Sequence, residues 1–343
     1  MSSAYRIAGA MALWVAALSP AYAADEPVLN LYSARHYQTD EALYDNFTKA
    51  TGIKINRIEA SDEQLLERLR SEGANSPADV LLIVDAARLW QAQQLGLFHP
   101  VKSGVLDERI PAKFRDPAGN WFGFSYRARV IVYNKTAVNP ADVASYEALA
   151  DPKNKGLVCT RSGSHPYNLS LIGSEIAHLG EAGAETWAKC VVANMARAPK
   201  GGDTDQIKAV AAGECGVALS NTYYYARLMR SSQPADREVV AKTAVLFPDQ
   251  ASYGTHVNIS GAGVMKRAPH RDNAVKFLEY LAGNDAQRYF ADGNNEWPIV
   301  ASVVVANPAL DAFGKFKIDP LPIATLGANT AESQRLADRV GWK

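Results

Sequence analysis

The chain has 343 residues, in which 36 lysines and arginines balance 36 aspartates and glutamates, so its formal net charge at pH 7 is zero. Neither an excess nor a cluster of basic residues is present, which argues against nucleic acid or a membrane surface as a partner. A hydrophobic fraction of 48% excludes a disordered chain, and the length suggests about two domains. Tyrosine is unusually frequent, with 15 copies against 10 phenylalanines.

The first residues have the layout of a secretory signal peptide. Arg6 precedes an apolar run over residues 7–18, and small residues follow at Ala21 and Ala23. The run is shorter than the roughly 20 residues that cross a bilayer, and no cysteine for a lipid anchor stands at the cleavage site. We therefore predict that residues 1–23 are a cleaved signal peptide and that the mature protein is periplasmic, without insertion into the membrane.

Strand and helix signals then alternate. Residues 28–32, 53–58 and 79–84 are predicted strands, and residues 41–49 and a segment starting at Ser61 are predicted helices. Ser61 has Gln64 three positions later, which is the pattern of a capping box. The order β, α, β, α, β predicts a parallel sheet that is covered by helices on both faces.

A second set of signals begins near Arg129. The predicted strands are residues 130–133, 157–160 and 217–220, and the predicted helices are residues 169–178, 182–192, 204–212 with Asp203 as cap, and 223–230. After about residue 250 a strand over 255–259 and helices over 270–282 and 285–291 suggest a return to the first lobe. Two α/β lobes of this kind would have a cleft between them.

Three cysteines, Cys159, Cys190 and Cys215, are spaced too widely for the close pairs of a zinc site. An oxidising compartment favours one disulfide and one remaining thiol. The sequence allows three pairings. We favour Cys159 with Cys215, because each ends or follows an apolar run that is a predicted strand in the same half of the chain.

No motif of an established enzyme class is present. The sequence lacks Gly-x-Ser-x-Gly, His-Glu-x-x-His, a phosphate-binding glycine loop and Gly-x-Gly-x-x-Gly after a strand. The six histidines are scattered. We therefore predict that the protein is not an enzyme; the alternative is a periplasmic hydrolase or lyase with His36 or His165 as base.

Tyrosines stand instead at the ends of three predicted strands. They are Tyr37 in LYSARHYQTD, Tyr167 in CTRSGSHPYN, and Tyr223 and Tyr224 in ALSNTYYYAR. Because ligands bind at the carboxyl ends of strands in open α/β sheets, we expect these phenols to point into one cleft. Tyr225 is expected to pack elsewhere, since three consecutive helical residues cannot face one point.

Phenolic oxygen suits a hard, highly charged metal ion. A bound cation stabilises the phenolate, and ferric iron is hard enough to do so, whereas zinc and copper are more typically held by His and Cys. The same tyrosines could be half-buried packing residues. They could also form a stacking surface for a sugar, a polyamine or an organic anion.

The segments LYSARHYQTD, RARVIVYNK, CTRSGSHPYN, GGDTDQIKAV and SNTYYYARL, in this order and spacing, resemble the ferric-binding-protein family, the periplasmic iron-binding proteins of iron ABC transporters, and particularly its Fut-type branch. The resemblance covers essentially the whole mature chain. It implies the type II periplasmic-binding-protein fold, with two α/β lobes joined by two crossover strands. The implied lobes are residues 25–125 plus about 251–300, and 126–250 plus about 301–343.

Carried over to this chain, the motif implies Tyr37, Tyr167, Tyr223 and Tyr224 as Fe(III) ligands. His36 stands where some members supply an imidazole and others do not. An exogenous anion such as carbonate or citrate completes the iron shell in some members.

Arg127 matches a position at which the Fut-type branch brings a cation near the metal. Four phenolates around Fe(III) leave one net negative charge, which a guanidinium would offset. Arg129 is the rival for that role, although either arginine could instead form a surface salt bridge. Arg227, three and four residues after the tyrosine pair, could approach the site if the iron were reduced.

The predicted function is therefore binding without catalysis. Fe(III) bridges Tyr37 on one lobe and the other tyrosines on the second lobe, and stabilises a closed state. A monomer in this state would deliver its iron to an inner-membrane ABC permease with its ATPase.

Overall fold

The computed structural model describes residues 27–35 and 40–343. The strands are β1 (Val28–Ser33), β2 (Lys54–Glu59), β3 (Val80–Ile83), β4 (Phe122–Asn134), β5 (Val158–Cys159), β6 (Val217–Asn221), β7 (Thr243–Leu246), β8 (Val257–Val264) and β9 (Trp297–Pro298). The helices are α1 (Asp40–Thr51), α2 (Asp62–Glu72), α3 (Ala86–Gln94), α4 (Gly104–Arg109), α5 (Pro166–Ala193), α6 (Asp203–Ala211), α7 (Thr222–Arg230), α8 (Pro234–Lys242), α9 (Arg271–Leu281), α10 (Asn284–Asn294), α11 (Pro308–Phe313), α12 (Ile323–Ala328) and α13 (Thr330–Val340). The predicted signal peptide lies outside the described residues. No helix in the described ranges has the length and apolar character that crossing a membrane requires.

The strands form a mixed sheet in the order β2-β1-β3-β8-β4-β6-β5. The prediction of parallel pairing is confirmed for β1 with β2 and with β3. No direction was predicted for β8, which runs antiparallel to both β3 and β4. The reason is topological, because β8 returns from the second half of the chain and enters the first sheet from the opposite end.

Strand β4 passes from one lobe into the other. It pairs with β8 as far as Ala128, and from Arg129 onward it pairs with β6. The chain returns through residues 247–256, between β7 and β8. These two crossovers divide the α/β architecture into two lobes, as the type II binding-protein fold requires.

Each lobe has its own hydrophobic core. The first core is built on β1, β3 and β8 with the helices around them, and includes Trp121 and Phe277. The second core is built on β4, β6 and α5, and includes Tyr146 and Trp187. The carboxyl-terminal helices join the two, since α12 packs against both α3 and α5, and α13 packs against α5.

Of three local sequence patterns, two predict the observed structure and one does not. The capping box of α2 is present, with Ser61 and Gln64 bonded reciprocally. The two helices predicted over residues 169–178 and 182–192 are confirmed as the two halves of α5, which are separated by the non-helical backbone of Gly180. Asp203 does not cap α6. Gly202 stands at the cap, and the Asp203 carboxylate instead accepts hydrogen bonds from Arg129 and from the backbone of Asn221.

Cys159 and Cys215 form a disulfide, which confirms the favoured pairing, and Cys190 is a half-buried free thiol. Cys159 ends β5, and Cys215 precedes β6, the strand that pairs with β5 in parallel. The bridge therefore closes a loop of sequence separation 56 in the second lobe.

The variant in which Cys159 and Cys215 are both replaced by serine should be less stable by about 2–4 kcal/mol, because the unfolded chain regains the freedom that the closed loop removed. Thermal or denaturant unfolding measures this loss. Cys190→Ser is the matched control and should change stability by less than about 0.5 kcal/mol. Equal stability of the double variant and the wild type would contradict the structural role of the bridge.

A group of carboxyls lies beside the second crossover. Glu175 of α5 is fully buried, and the Tyr253 hydroxyl lies 3.3 Å from its Oε1 and 3.0 Å from Oε1 of Glu147. Burial first, and then Glu147 and Asp249, raise the pKa of Glu175 well above its ordinary value. Burial also raises the pKa of Asp249 to about 7. The Tyr253 hydroxyl has one proton and can donate it to only one of these two carboxylates at a time. The arrangement is therefore more stable when one of the carboxyls is protonated.

Glu175→Gln should therefore stabilise the protein at pH 8, by roughly 1 kcal/mol. A carboxyl whose pKa is raised on folding binds its proton more tightly in the folded state, so the stability of the wild type falls as pH rises above the unfolded pKa of about 4.5. The amide has no such dependence, and the gain should disappear below about pH 4.5. Thermal unfolding across pH measures it.

Glu181→Gln, an exposed change in the second half of α5, is the control and should give no pH-dependent gain. A Glu175→Gln protein that is less stable than the wild type at pH 8 would contradict the expected protonation.

Candidate metal centre

A cleft of about 670 Å³ lies between the lobes. Ala34, Asp62 and Asp85 line it from the first lobe, and His165 and Tyr167 line it from the second. These three first-lobe residues all follow the carboxyl ends of strands, which is where ligands bind in this fold class.

Tyr167 is held by the start of α5. His165 is the N-cap, and its Nδ1 accepts a hydrogen bond of 3.2 Å from the backbone N–H of Tyr167. The two rings lie edge to face at 4.4 Å. Burial, reinforced by Arg161, Arg129 and Arg127, lowers the pKa of His165 to about 3. The imidazole is thus neutral and its acceptor nitrogen is used by the cap, which disfavours the alternative of His165 as a general base.

Tyr223 is positioned by the turn from β6 into α7. Asn221 ends the strand and is also the N-cap of α7, so Tyr223 lies in the first helical turn. Its hydroxyl donates a hydrogen bond of 2.8 Å to the hydroxyl of Tyr167. The structure therefore brings two of the four predicted phenols into direct contact.

Tyr224 lies beside Tyr223, with ring centroids 4.4 Å apart, and is half-buried. Tyr225 points elsewhere, because its hydroxyl donates to the carbonyl of Thr243 at 2.9 Å. The expectation that Tyr225 packs away from the other two tyrosines is therefore confirmed. The remaining predicted ligands, His36 and Tyr37, lie outside the described residues.

Guanidinium groups surround the tyrosines. The Cζ atoms of Arg127, Arg129 and Arg161 lie 5.6, 5.8 and 5.1 Å from the Tyr167 ring centroid. Arg227 is exposed on α7, with its Cζ 5.4 Å from the Tyr223 ring centroid and 5.6 Å from that of Tyr224. Such contacts stabilise the cation over the ring face.

The two crossover arginines differ in their partners. Both are 2% exposed, so the interpretation as surface salt bridges is wrong for both. Arg129 forms an ion pair of 2.6 Å with Asp203. Arg127 donates through Nη2 to the carbonyl of Val84, and its Nε and Nη1 have no hydrogen-bond partner within the described chain.

The charge on Arg127 is therefore not cancelled by a direct ion pair in the described structure. Burial acts to lower its pKa, but Tyr167, Glu296, Tyr223 and Asp85 outweigh that effect, and the net pKa is raised. A guanidinium in this environment stays charged, and it can face an anionic centre beside Tyr167.

Three side chains around the tyrosines were not found by sequence reasoning: Asn168, Arg161 and the Asp203 carboxylate in its observed role. The segment CTRSGSHPYN contains Arg161 but gives no signal of its contact with Tyr167. Within residues 27–35 and 40–343, no group of three or more His, Cys, Asp or Glu is arranged to hold a metal ion.

Comparisons with known proteins cover nearly the whole chain. A family model described as a bacterial extracellular solute-binding protein matches residues 42–315. The chain is 53% identical over 334 residues to iron uptake protein A2 of Synechocystis sp., covering 97% of this chain and 95% of that protein. It is 28% identical over 339 residues to the major ferric iron-binding protein of Neisseria meningitidis serogroup B, covering 96% and 98%.

Among solved structures, the Trichodesmium FutA (IdiA) protein in complex with iron and citrate ligands matches with a TM-score of 0.89 at 54% identity, covering 92% of this chain and 100% of that chain. The match includes both lobes. The chain belongs to the bacterial extracellular solute-binding proteins and, among them, to the ferric-binding-protein family and its Fut-type branch.

Proposed function

We propose that this protein captures Fe(III) in the cleft between its lobes through tyrosine phenolates and delivers it to an ABC transporter. The observation that carries the proposal is the 2.8 Å contact between the Tyr167 and Tyr223 hydroxyls, which brings two phenols from separate helix starts to one point. The names of the two relatives of this protein refer to iron uptake and to ferric iron binding. The role is transport and not catalysis.

The proposed ligands are Tyr37, Tyr167, Tyr223 and Tyr224, with His36 as an additional candidate. Their phenolic oxygens are hard donors, and Fe(III) lowers the pKa of a coordinated phenol so that it binds as phenolate. Citrate or carbonate is proposed as a further ligand of the iron. Two facts support this: the Trichodesmium relative holds iron together with citrate, and the cleft of about 670 Å³ exceeds what a metal ion occupies.

Arg127 is proposed to balance the charge of the bound iron. Its guanidinium contacts the first lobe at Val84 and the ring of Tyr167 in the second lobe. Four phenolates and Fe(III) carry one net negative charge, and a citrate or carbonate ligand adds to it, so a buried cation between the lobes favours the closed, iron-bound state. Arg227, over Tyr223 and Tyr224, is proposed as a second and more exposed cation.

Solute-binding proteins of this family work with ABC transporters. We propose that the partner is an inner-membrane permease with its ATPase, that nucleic acid plays no part, and that the protein acts as a monomer. Export by the predicted signal peptide would place it in the periplasm. The lobe boundaries given by the sequence remain predictions. The two hydrophobic cores support the division before residue 300, whereas Ile323 and Leu326, which the prediction assigns to the second lobe, belong to the first core.

A thermal-shift series tests the proposal against other binding-protein ligands. Metal-free protein is mixed in turn with Fe(III) citrate, citrate alone, a sugar panel and polyamines. We expect a large stabilisation with Fe(III) citrate and little with the others, because a ligand that binds the folded state raises its stability by mass action. Stabilisation by a sugar or polyamine without iron would overturn the proposal.

A further inference from the structure

Arg129 joins the elements that carry the two contacting tyrosines. Its Nη1 donates to Oδ2 of Asp203 at 2.6 Å and to Oδ1 of Asn221 at 3.2 Å, and its Nη2 donates to Oδ1 of Asn168 at 2.8 Å. One guanidinium thus contacts α5, α6 and the end of β6.

Two of these partners adjoin the tyrosines in the chain. Asn168 directly follows Tyr167, and Asn221 is the cap residue two positions before Tyr223. The third partner, Asp203, also accepts a hydrogen bond of 2.8 Å from the backbone N–H of Asn221. Beyond the pairing of β5 with β6, a single side chain therefore links the start of α5 to the start of α7.

The network is shielded from solvent. Asn168 and Asp203 are fully buried, and Arg129 is 2% exposed. The Asn168 amide nitrogen in turn donates hydrogen bonds of 2.9–3.0 Å to the Thr160 hydroxyl and to the carbonyls of Arg161 and Ser162. Nε of Arg129 has no hydrogen-bond partner within the described chain, so the bonds of Nη1 and Nη2 are the ones that hold the surrounding elements in place.

Arg129 also stands at the hinge. Its backbone N–H donates to the carbonyl of His256 at 3.0 Å, on the second crossover, and its carbonyl accepts from the Tyr146 hydroxyl. It lies two residues after Arg127 on β4, so both side chains leave the same face of the strand and reach the same tyrosine ring. The two arginines differ in how their charges are paired. Arg129 forms an ion pair with Asp203, whereas Arg127 has no such ion pair in the described chain.

We propose that Arg129, paired with Asp203, is a positioning residue for metal capture, which fixes the distance between the Tyr167 and Tyr223 hydroxyls so that both phenols meet one cation. The proposal rests on the proposed function, because the distance matters only if the phenols share a ligand. A lysine cannot replace the arginine, since an ammonium lacks the planar fork that reaches three partners on two nitrogens.

The test is the double variant Arg129→Gln with Asp203→Asn. The two fully buried charges are removed together, and Arg161, which also pairs with Asp203 at 3.4 Å, is 16% exposed and keeps contact with solvent, so the protein should remain folded. We expect Fe(III) affinity, measured by competition with a chelator, to fall by about 10–100-fold, as for other residues that orient metal ligands. We also expect the phenolate-to-iron absorption band to move in wavelength. A purely structural role would lower the melting temperature without moving that band.

Arg197→Gln is the matched control. Arg197 is a half-buried arginine of the same lobe that donates to Gln206 of α6 and pairs with Glu214. Its replacement should leave the band and the affinity unchanged. Arg129→Lys is a second variant with the charge retained, and it should shift the band and weaken binding in the same direction.

The outcomes are distinguishable. If the wild type shows no Fe(III) band, the proposed function fails and this inference fails with it. If the wild type binds Fe(III) and both the double variant and Arg129→Lys keep its band and affinity, only the positioning role is overturned. If the double variant does not fold, an unchanged band in Arg129→Lys alone overturns it.

Discussion

Replacing Tyr223 and Tyr224 together with phenylalanine is expected to abolish stable Fe(III) binding. The change removes two of the four proposed phenolates and retains both rings, so the packing of the 4.4 Å ring pair should survive. It also removes the hydrogen bond from Tyr223 to Tyr167. Affinity should fall by more than the roughly 100-fold that outer residues of metal sites can cost. Chelator competition and the visible absorption of the iron complex measure it.

Tyr225→Phe is the control for this experiment. Its hydroxyl serves only the Thr243 region in the described contacts, so its loss should cost about 1 kcal/mol of stability and leave iron affinity intact. Full colour and full affinity in the Tyr223 and Tyr224 double variant would contradict the ligand assignment. Equal losses in Tyr225→Phe would point to a general effect on folding.

Arg127→Met is expected to weaken Fe(III) binding by at least about 30-fold, the equivalent of the 2 kcal/mol lower limit for loss of one member of a buried charged pair. The bound iron with four phenolates would keep an uncompensated negative charge in a low-dielectric cleft. The effect on the stability of the metal-free protein should be opposite in sign. Arg127 is then a buried cation whose Nε and Nη1 lack hydrogen-bond partners in the described chain. The metal-free variant should be as stable as the wild type or more so.

Arg227→Gln provides the comparison for Arg127→Met. Arg227 is exposed, and solvent screens its charge, so its loss should cost less affinity. Affinity measured at two salt concentrations separates the two, since screening acts on the exposed arginine more than on the buried one. Wild-type affinity in Arg127→Met, or a larger loss in Arg227→Gln, would contradict the proposed charge balance.

The meeting of Tyr167 and Tyr223 could be predicted because it follows from sheet geometry. Strands β5 and β6 are parallel neighbours, with Val158 opposite Val217, so their carboxyl ends meet at one edge. Each tyrosine lies in the first helical turn after its strand. The divergence of Tyr225 follows equally from helix geometry, since consecutive residues point about 100° apart. Whether these tyrosines bind iron remains a prediction.

Features that depend on distant residues could not be predicted. The Asp203 side chain has the type and position of a helix cap, but its carboxylate is drawn to Arg129, which is 74 residues away in sequence. A cap pattern describes only the neighbouring residues and contains no information about a buried guanidinium. The direction of β8 could not be predicted for a related reason, because an apolar run indicates a buried strand and not the end from which it enters the sheet.

The most direct test of iron capture by phenolates is the visible absorption spectrum of the purified, metal-free protein during titration with Fe(III) citrate. We predict a phenolate-to-iron charge-transfer band that grows linearly and stops at one iron per protein, with the same stoichiometry in metal analysis. A protein that binds Fe(III) without developing this band, or that binds none, would contradict the account.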